Sequence, residues 1–419
     1  MEAISTGTFS FPTIVSGRGC WLFDAAGSAY FDGTAGSGAV ALGHGHPRVR
    51  DAVERQLGRL VHTGCKINSD VRTELVAKLC AISPFSTCSI LPAVTGAEAI
   101  EASLKIARAY TGRRAIIAFA HAFHGKTTGA LSVTWRDELK SFSGICDTDV
   151  KFASFPAADA DQAELEIRLA EFRRIIHDAG AQGRLPAAVI LEPIQVTEGV
   201  HIPGRRFLDG IVEIARAAGI LVILDEIYTG FGRAGALFYC RTLDSIPDLL
   251  VVGKSLGNGF AISAVLGKRE VINALPGGIH TSTYSGHPLA CAAAASVIDV
   301  ILETRLWELA ARLGTRLLLA LRAMAARLEF VSHPRGEGLL LAFDCLGSGG
   351  RPSPGVARSV LAAALARRLL LFGGGIHGAT IKIVPPMLMS DDDFGYLVET
   401  LGSAVAGVGA TWGSCDVVQ

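Results

Sequence analysis

Apolar residues recur along the middle of this chain in two alternating rhythms. Short runs occupy residues 115–119, 187–191, 220–224 and 249–252, with a further strand predicted at 263–267. Four or five apolar residues closed by a turn or a charge read as a strand buried on both faces, as in a parallel sheet. Between the runs lie stretches with a helical period. One opens at Thr95-Gly96, carries Ile100, Leu104, Ile106 and Ala107, and ends at Gly112; others cover 165–177 and 207–217, the last stopped by Gly219. A capping residue at the start and a glycine just past the end mark such helices. Strands alternating with helices predict a doubly wound α/β fold with a mostly parallel sheet.

The ends are patterned differently. Gly19-Cys20-Trp21-Leu22-Phe23-Asp24 and Ala29-Tyr30-Phe31-Asp32 flank Gly27, which predicts a β-hairpin within 10–34. Helices are expected over 47–60 and 74–79, the second followed by an irregular segment. An alanine-rich helix is expected from Pro288 to about 302 and an amphipathic one over 306–327. Beyond a change of composition at Ser332-His333-Pro334 come short strands near 339–343 and 380–384, with Gly347-Ser348-Gly349-Gly350 as a flexible joint. These parts predict a smaller α+β unit built from residues 1–60 and 306–419 around a large domain of 61–305.

Composition narrows the partners. At 419 residues, half of them hydrophobic, the chain is long enough for two domains. Its formal net charge is zero and it has no basic run, which argues against nucleic acid or an anionic membrane. Nine cysteines are scattered without a CxxC pair, as core thiols of a reducing compartment are. Met1-Glu2-Ala3-Ile4-Ser5 lacks the basic and apolar regions of a signal peptide, and the longest apolar stretch, 288–298, is too short to span a bilayer. A cytoplasmic protein is the expectation. The histidines of His44-Gly45-His46-Pro47 have no carboxylate or cysteine beside them in sequence, so turn and packing roles are expected rather than a metal.

Candidate chemistry sits where the apolar runs stop. Run 220–224 ends in Asp225-Glu226, run 249–252 in Gly253-Lys254, and run 187–191 in Glu192-Pro193. Groups just past the carboxyl ends of neighbouring parallel strands sit where open α/β sheets bind ligands. One acid and one lysine at such a rim suit pyridoxal phosphate: the lysine condenses with the aldehyde, and the carboxylate keeps the pyridine nitrogen protonated. The chain has only nine lysines, so few others compete for that role. Thr95-Gly96 would offer free N–H groups at a helix N-terminus to a phosphate, and Phe123 and His124 would cover a flat ring. Each signal alone has a plainer explanation. Thr95 is an ordinary N-cap, a strand-end Asp caps the next helix, and a Lys after a strand is solvated.

Taken together, the motifs resemble the class-III aminotransferases, fold type I pyridoxal phosphate enzymes, over nearly the whole chain. The resemblance rests on Leu224-Asp225-Glu226-Ile227-Tyr228-Thr229-Gly230-Phe231-Gly232-Arg233 followed by Gly253-Lys254-Ser255. Thr95-Gly96-Ala97-Glu98-Ala99, Phe123-His124-Gly125, Glu192-Pro193-Ile194-Gln195 and Thr283-Tyr284-Ser285-Gly286-His287-Pro288 support it. It implies that Lys254 forms the Schiff base and shuttles the proton, that Asp225 pairs with the pyridine nitrogen, and that Phe123 and Ile227 face the two sides of the ring. It further implies that Gly96 and Ala97 hold the phosphate, with Thr283 reaching it from the second subunit of a homodimer. Its departures concern the substrate. Lys126 and Lys382 stand where relatives that use glutamate and 2-oxoglutarate often carry Arg, keeping the charge but losing the bidentate fork. Tyr228 replaces a Gln near the cofactor's phenolic oxygen, Glu198 is displaced by one from the usual acidic position, which Thr197 takes, and His287 replaces Asn. The nearest pattern is that of diaminobutyrate–2-oxoglutarate and ornithine-type omega-aminotransferases, with a small amine donor and an oxo-acid or carbonyl acceptor. An aminotransferase for an amino sugar or another carbonyl without a carboxylate stands as the alternative. Beside it stand a racemase, aminomutase or decarboxylase of the same fold and, from a different class, a non-enzymatic binding module.

Overall fold

The computed structural model describes residues 11–141, 149–157, 160–410 and 412; the N-terminal reading of residues 1–5 lies outside them. Strands β1 (Ile14–Arg18), β2 (Trp21–Asp24) and β3 (Ala29–Asp32) form an antiparallel ribbon. The turn between β2 and β3 relies on Gly27 at φ +80°, where a Cβ would be strained. The expected hairpin is there, with one strand more.

The central sheet has seven strands: β4 (Cys88–Ala93), β5 (Ile116–Phe119), β6 (Val150–Ala153), β7 (Ala188–Leu191), β8 (Leu221–Asp225), β9 (Leu249–Val252) and β10 (Ser263–Lys268), in the order β4-β10-β9-β8-β7-β5-β6. From β9 to β6 every pair is parallel, and β10 runs against both of its neighbours. The apolar runs of β5, β7, β8 and β9 are buried throughout because helices cover both faces. The segment expected to be irregular contains β4. It lies at an edge, where its Pro92 sacrifices no ladder bond to a second neighbour.

The helix Gly96–Thr111 starts and stops where its sequence signals lie. The Thr95 side chain accepts the Glu98 N–H at 3.2 Å, and Gly112 closes it in the left-handed region. Helix Pro288–Thr304 is apolar nearly all round and is buried against helices Pro47–Leu57 and Asp70–Ile82.

The C-terminal part adds β11 (Val331–Glu337), β12 (Leu340–Cys345), β13 (Leu369–Leu370), β14 (Phe372–Gly374) and β15 (Thr380–Ile383). A sheet of order β11-β12-β15-β14 forms there, while β13 pairs in parallel with β3, so both ends of the chain share one sheet. The change of composition at 332–334 is a bulge in β11, with His333 at φ +47°. Two helices without a counterpart in the sequence reading, Pro354–Ala366 and Asp391–Gly409, cover this region. Arg233, wholly buried, donates to the Pro385 carbonyl and ties the loop after β8 to the segment after β15.

Candidate active site

Four adjacent parallel strands each deliver one titratable group past their carboxyl ends. His124 follows β5, Glu192 follows β7, Asp225 closes β8, and Lys254 follows β9. Parallel pairing in register (Leu191 opposite Leu224, Asp225 opposite Val251) brings these loops to one rim. Lys254 occupies the left-handed region at φ +40°, an uncommon conformation for a residue with a side chain.

Asp225 is buried, and each of its oxygens has a hydrogen-bond partner. Its Oδ2 lies 2.7 Å from His124 Nδ1, and its Oδ1 accepts the Ile227 N–H at 3.0 Å. An ionised carboxylate only accepts, so His124 Nδ1 carries the hydrogen between them. The other ring nitrogen, His124 Nε2, is buried without a partner among the described residues. Glu192 accepts the Phe123 N–H at 2.9 Å, and burial, with the nearby Asp225 charge, pushes its carboxyl well above the usual range.

Burial drives Lys254 down from 10.5 to about 7, against the pull of Asp225 and Glu192 and with a smaller push from Lys382 and Arg233. A lysine at that value is substantially neutral at physiological pH and can act as nucleophile or base. Its Nζ lies 3.3 Å from the centre of the Tyr228 ring.

A cavity of about 350 Å³ ends on Lys254 and Tyr228 and is lined further by Phe123, Lys126, Arg136, Thr197, Lys382, Thr34 and Ser37. Of the expected substrate residues, Lys126 and Lys382 face it, and neither makes an ion pair among the described residues. Glu198, 2 % exposed, takes the Arg136 guanidinium in a bidentate pair at 2.6 and 2.9 Å. Burial, with Arg136 adding, holds Lys382 below its usual value although Glu198 opposes this. Arg136, Thr34 and Ser37 were absent from the expected site, and Glu192 has no expected role beyond closing its strand. Arg136 and Glu198 lie 62 residues apart in loops, and no local spacing signals their pairing.

The amides expected at a phosphate are open. Glu98 N–H is taken by the Thr95 hydroxyl, whereas the N–H groups of Gly96 and Ala97 donate to nothing among the described residues. A Cβ on Gly96 would stand 2.8 Å from Ile227 Cδ1, and one on Gly125 2.7 Å from Ala97 Cβ. The glycines let the Ile227 side chain and the His124–Gly125 loop close on the helix start. Thr283, in contrast, is exposed and lines no part of this chain's cavity. His44 has a carboxylate partner after all: its Nε2 lies 2.8 Å from the buried Asp32, which also takes the N–H groups of Thr34 and Gly36.

A lysine of depressed basicity, a histidine-braced aspartate and open amides at a helix start form a set that fits pyridoxal phosphate, on a fold of the type I transferases. The sequence profile of the class-III aminotransferases matches residues 5–405, and the chain belongs to that family. It is 34% identical to an acetylornithine aminotransferase of Methanothermobacter thermautotrophicus, over 94% of each chain. It is 32% identical to a probable 4-aminobutyrate aminotransferase of Bacillus subtilis, over 93% of this chain and 91% of the other. A solved amine transaminase from an uncultivated Pseudomonas species, with pyridoxal phosphate bound, superposes with a TM-score of 0.90 at 27% identity and 98% coverage of both. The protein is thus a pyridoxal phosphate-dependent aminotransferase.

Proposed function

We propose that the enzyme moves an amino group between a small terminal-amine substrate, a diamino or omega-amino acid, and glutamate/2-oxoglutarate. The carrying observation is the charge of the cavity. Lys126, Arg136 and Lys382 face a space that ends on the reactive amine, and among the described residues Glu198 forms its ion pair with Arg136. Two lysines without an ion-pair partner beside the reactive amine favour a substrate that brings a carboxylate. The named activities of the acetylornithine, 4-aminobutyrate and 5-aminovalerate aminotransferases among its relatives agree with this reading.

Bound pyridoxal phosphate supplies an aldehyde for a lysine amine and a protonated ring that draws electrons from the substrate carbon. Lys254, neutral near pH 7, presents its Nζ to that aldehyde and later moves the substrate proton. Asp225 holds the proton of the ring nitrogen, and His124 keeps its carboxylate oriented. Gly96 and Ala97 amides bind the phosphate at the positive end of helix Gly96–Thr111. Phe123 and Ile227 exclude water from the two ring faces. Lys126, Lys382 and Arg136 bind the substrate carboxylate, with Glu198 competing for the guanidinium.

We also infer a homodimer in which Thr283 completes the partner's phosphate site. Leu57, Val61, Ile67 and Tyr284 are exposed, and His62 stacks on Tyr284 and His287 with ring centres 5.1 and 5.2 Å apart, which brings the segment around Val61 against that around Tyr284. Free thiols throughout the described residues accord with a cytoplasmic enzyme. The test is a half-reaction screen, in which 4-aminobutyrate, ornithine, 2,4-diaminobutyrate and glutamate are each mixed with the purified enzyme and the cofactor's visible absorbance is followed. Bleaching by a terminal amine, reversed by 2-oxoglutarate, is the expected result. Failure of glutamate, 2-oxoglutarate and pyruvate alike would sink the acid half of the proposal.

A further inference from the structure

The nearest group to the Lys254 amine is not an acid. Its Nζ stands over the Tyr228 ring at 3.3 Å from the centre, and it makes no ion pair among the described residues, while Asp225 is hydrogen-bonded to His124 and Ile227. The ring is held in place. Gly38, at φ +82°, lays its backbone against it so closely that a Cβ there would sit 2.5 Å from Tyr228 Cε1. Ser255, next to Lys254, donates to the Gly38 carbonyl at 3.3 Å and fixes that strap. The Tyr228 hydroxyl makes no hydrogen bond among the described residues, so the face of the ring, not its oxygen, is what the amine meets.

We propose that the Tyr228 ring is a catalytic platform that receives Lys254 in its charged form while the lysine carries the substrate proton. This rests on the reading of Lys254 as the reactive amine. In the reaction the neutral amine accepts a proton from the substrate carbon and hands the same proton on, so Lys254 ends as it began. In between it is an ammonium in a cavity also lined by Lys382, with the charge of the buried Arg233 adding to the repulsion and Asp225 and Glu192 opposing it. A carboxylate in contact would stabilise that ammonium so strongly that the proton would stay. A bare apolar wall would make proton uptake too unfavourable. An aromatic face lies between the two, because its quadrupole attracts a cation without offering a site that accepts the proton. Tyr228 stays an uncharged phenol in this role, since burial pushes it up to about 12.

The test replaces Tyr228 by Phe, which keeps the ring, and by Leu and Gln, which remove it. In cofactor-free protein, the pH dependence of Lys254 acetylation is read by mass spectrometry of its peptide. The Tyr228→Phe midpoint is expected within about 0.3 pH unit of the parent. Tyr228→Leu and Tyr228→Gln should lower it by about one unit, a tenfold loss of proton affinity. In the loaded enzyme, kcat of both ring-less variants should fall about tenfold below that of Tyr228→Phe, with a larger kinetic isotope effect from substrate deuterated at the reacting carbon. An unmoved midpoint in the ring-less variants, or a Phe variant that behaves like them, overturns the platform and leaves Lys254 as the reactive amine. Loss of cofactor binding at Lys254 itself, with another lysine labelled by borohydride, overturns both.

Discussion

Lys254 is an amine whose charge the surrounding protein largely desolvates, and most consequences at the scale of single residues follow from that. The folded protein holds it at about 7 and the unfolded chain at 10.5, so the unfolded state binds more protons between these values. The penalty is complete below pH 7 and fades as pH rises towards 10.5. Cofactor-free Lys254→Met is therefore expected to be more stable than its parent at pH 7, by a few kcal/mol, roughly, and to lose that advantage by pH 10, as thermal unfolding would record. The same substitution abolishes visible cofactor absorbance and turnover. Asp225→Asn should still take up cofactor yet lose turnover by about 10²–10³, because an amide cannot hold the ring proton. Activity within about tenfold of the parent would reduce Asp225 to a structural residue.

At the scale of elements, backbone proximity sets the sensitive positions. Gly314 in helix Leu306–Ala325 touches the turn at Gly338, where an added Cβ would stand 1.9 Å from a carbonyl oxygen. Gly314→Ala should destabilise the fold by about 1–3 kcal/mol in denaturant titration, despite alanine's better helix propensity. Strands β5, β7, β8 and β9 were legible in the sequence because a strand buried on both faces must be apolar at every position. β4, with Ser89 and Pro92, and β6, with Lys151, are edges, and edges leave no such run. Helix Asp391–Gly409 had its signal in Ser390 and Asp393, which form a reciprocal cap, but its apolar face is diluted by glycines and went unread. Asp225 and Lys254 were legible because strand ends locate them. The Arg136–Glu198 pair was not, because loops joined only by the fold leave no spacing to read.

For the whole molecule, the distribution of charge decides what enters. Lys382→Ala should raise KM for the acid substrate ten- to a hundredfold, roughly 1.5–3 kcal/mol for a charge-assisted contact, with kcat for a neutral amine less affected. An equal fall of kcat for every substrate would mark the lysine as structural. Added salt should weaken acid binding less than it would at an open surface, because an enclosed cavity is poorly screened. A protein that sediments as a monomer at micromolar concentration and still turns over would contradict the shared phosphate site.

The pairing of β3 with β13 sets Phe31 opposite Leu369, and this dictates a schedule. On the ribosome, the ribbon β1–β3 emerges first and waits, with one edge open, for nearly the whole chain to follow. The central sheet, whose strands lie between 88 and 268, can assemble in the meantime. A chain that stopped short of residue 369 would keep Asp225 and Lys254, yet it would lack the strand that closes this edge and the lysine at 382. Premature termination near the C-terminus should therefore yield a product caught by proteases and chaperones rather than a weakened enzyme.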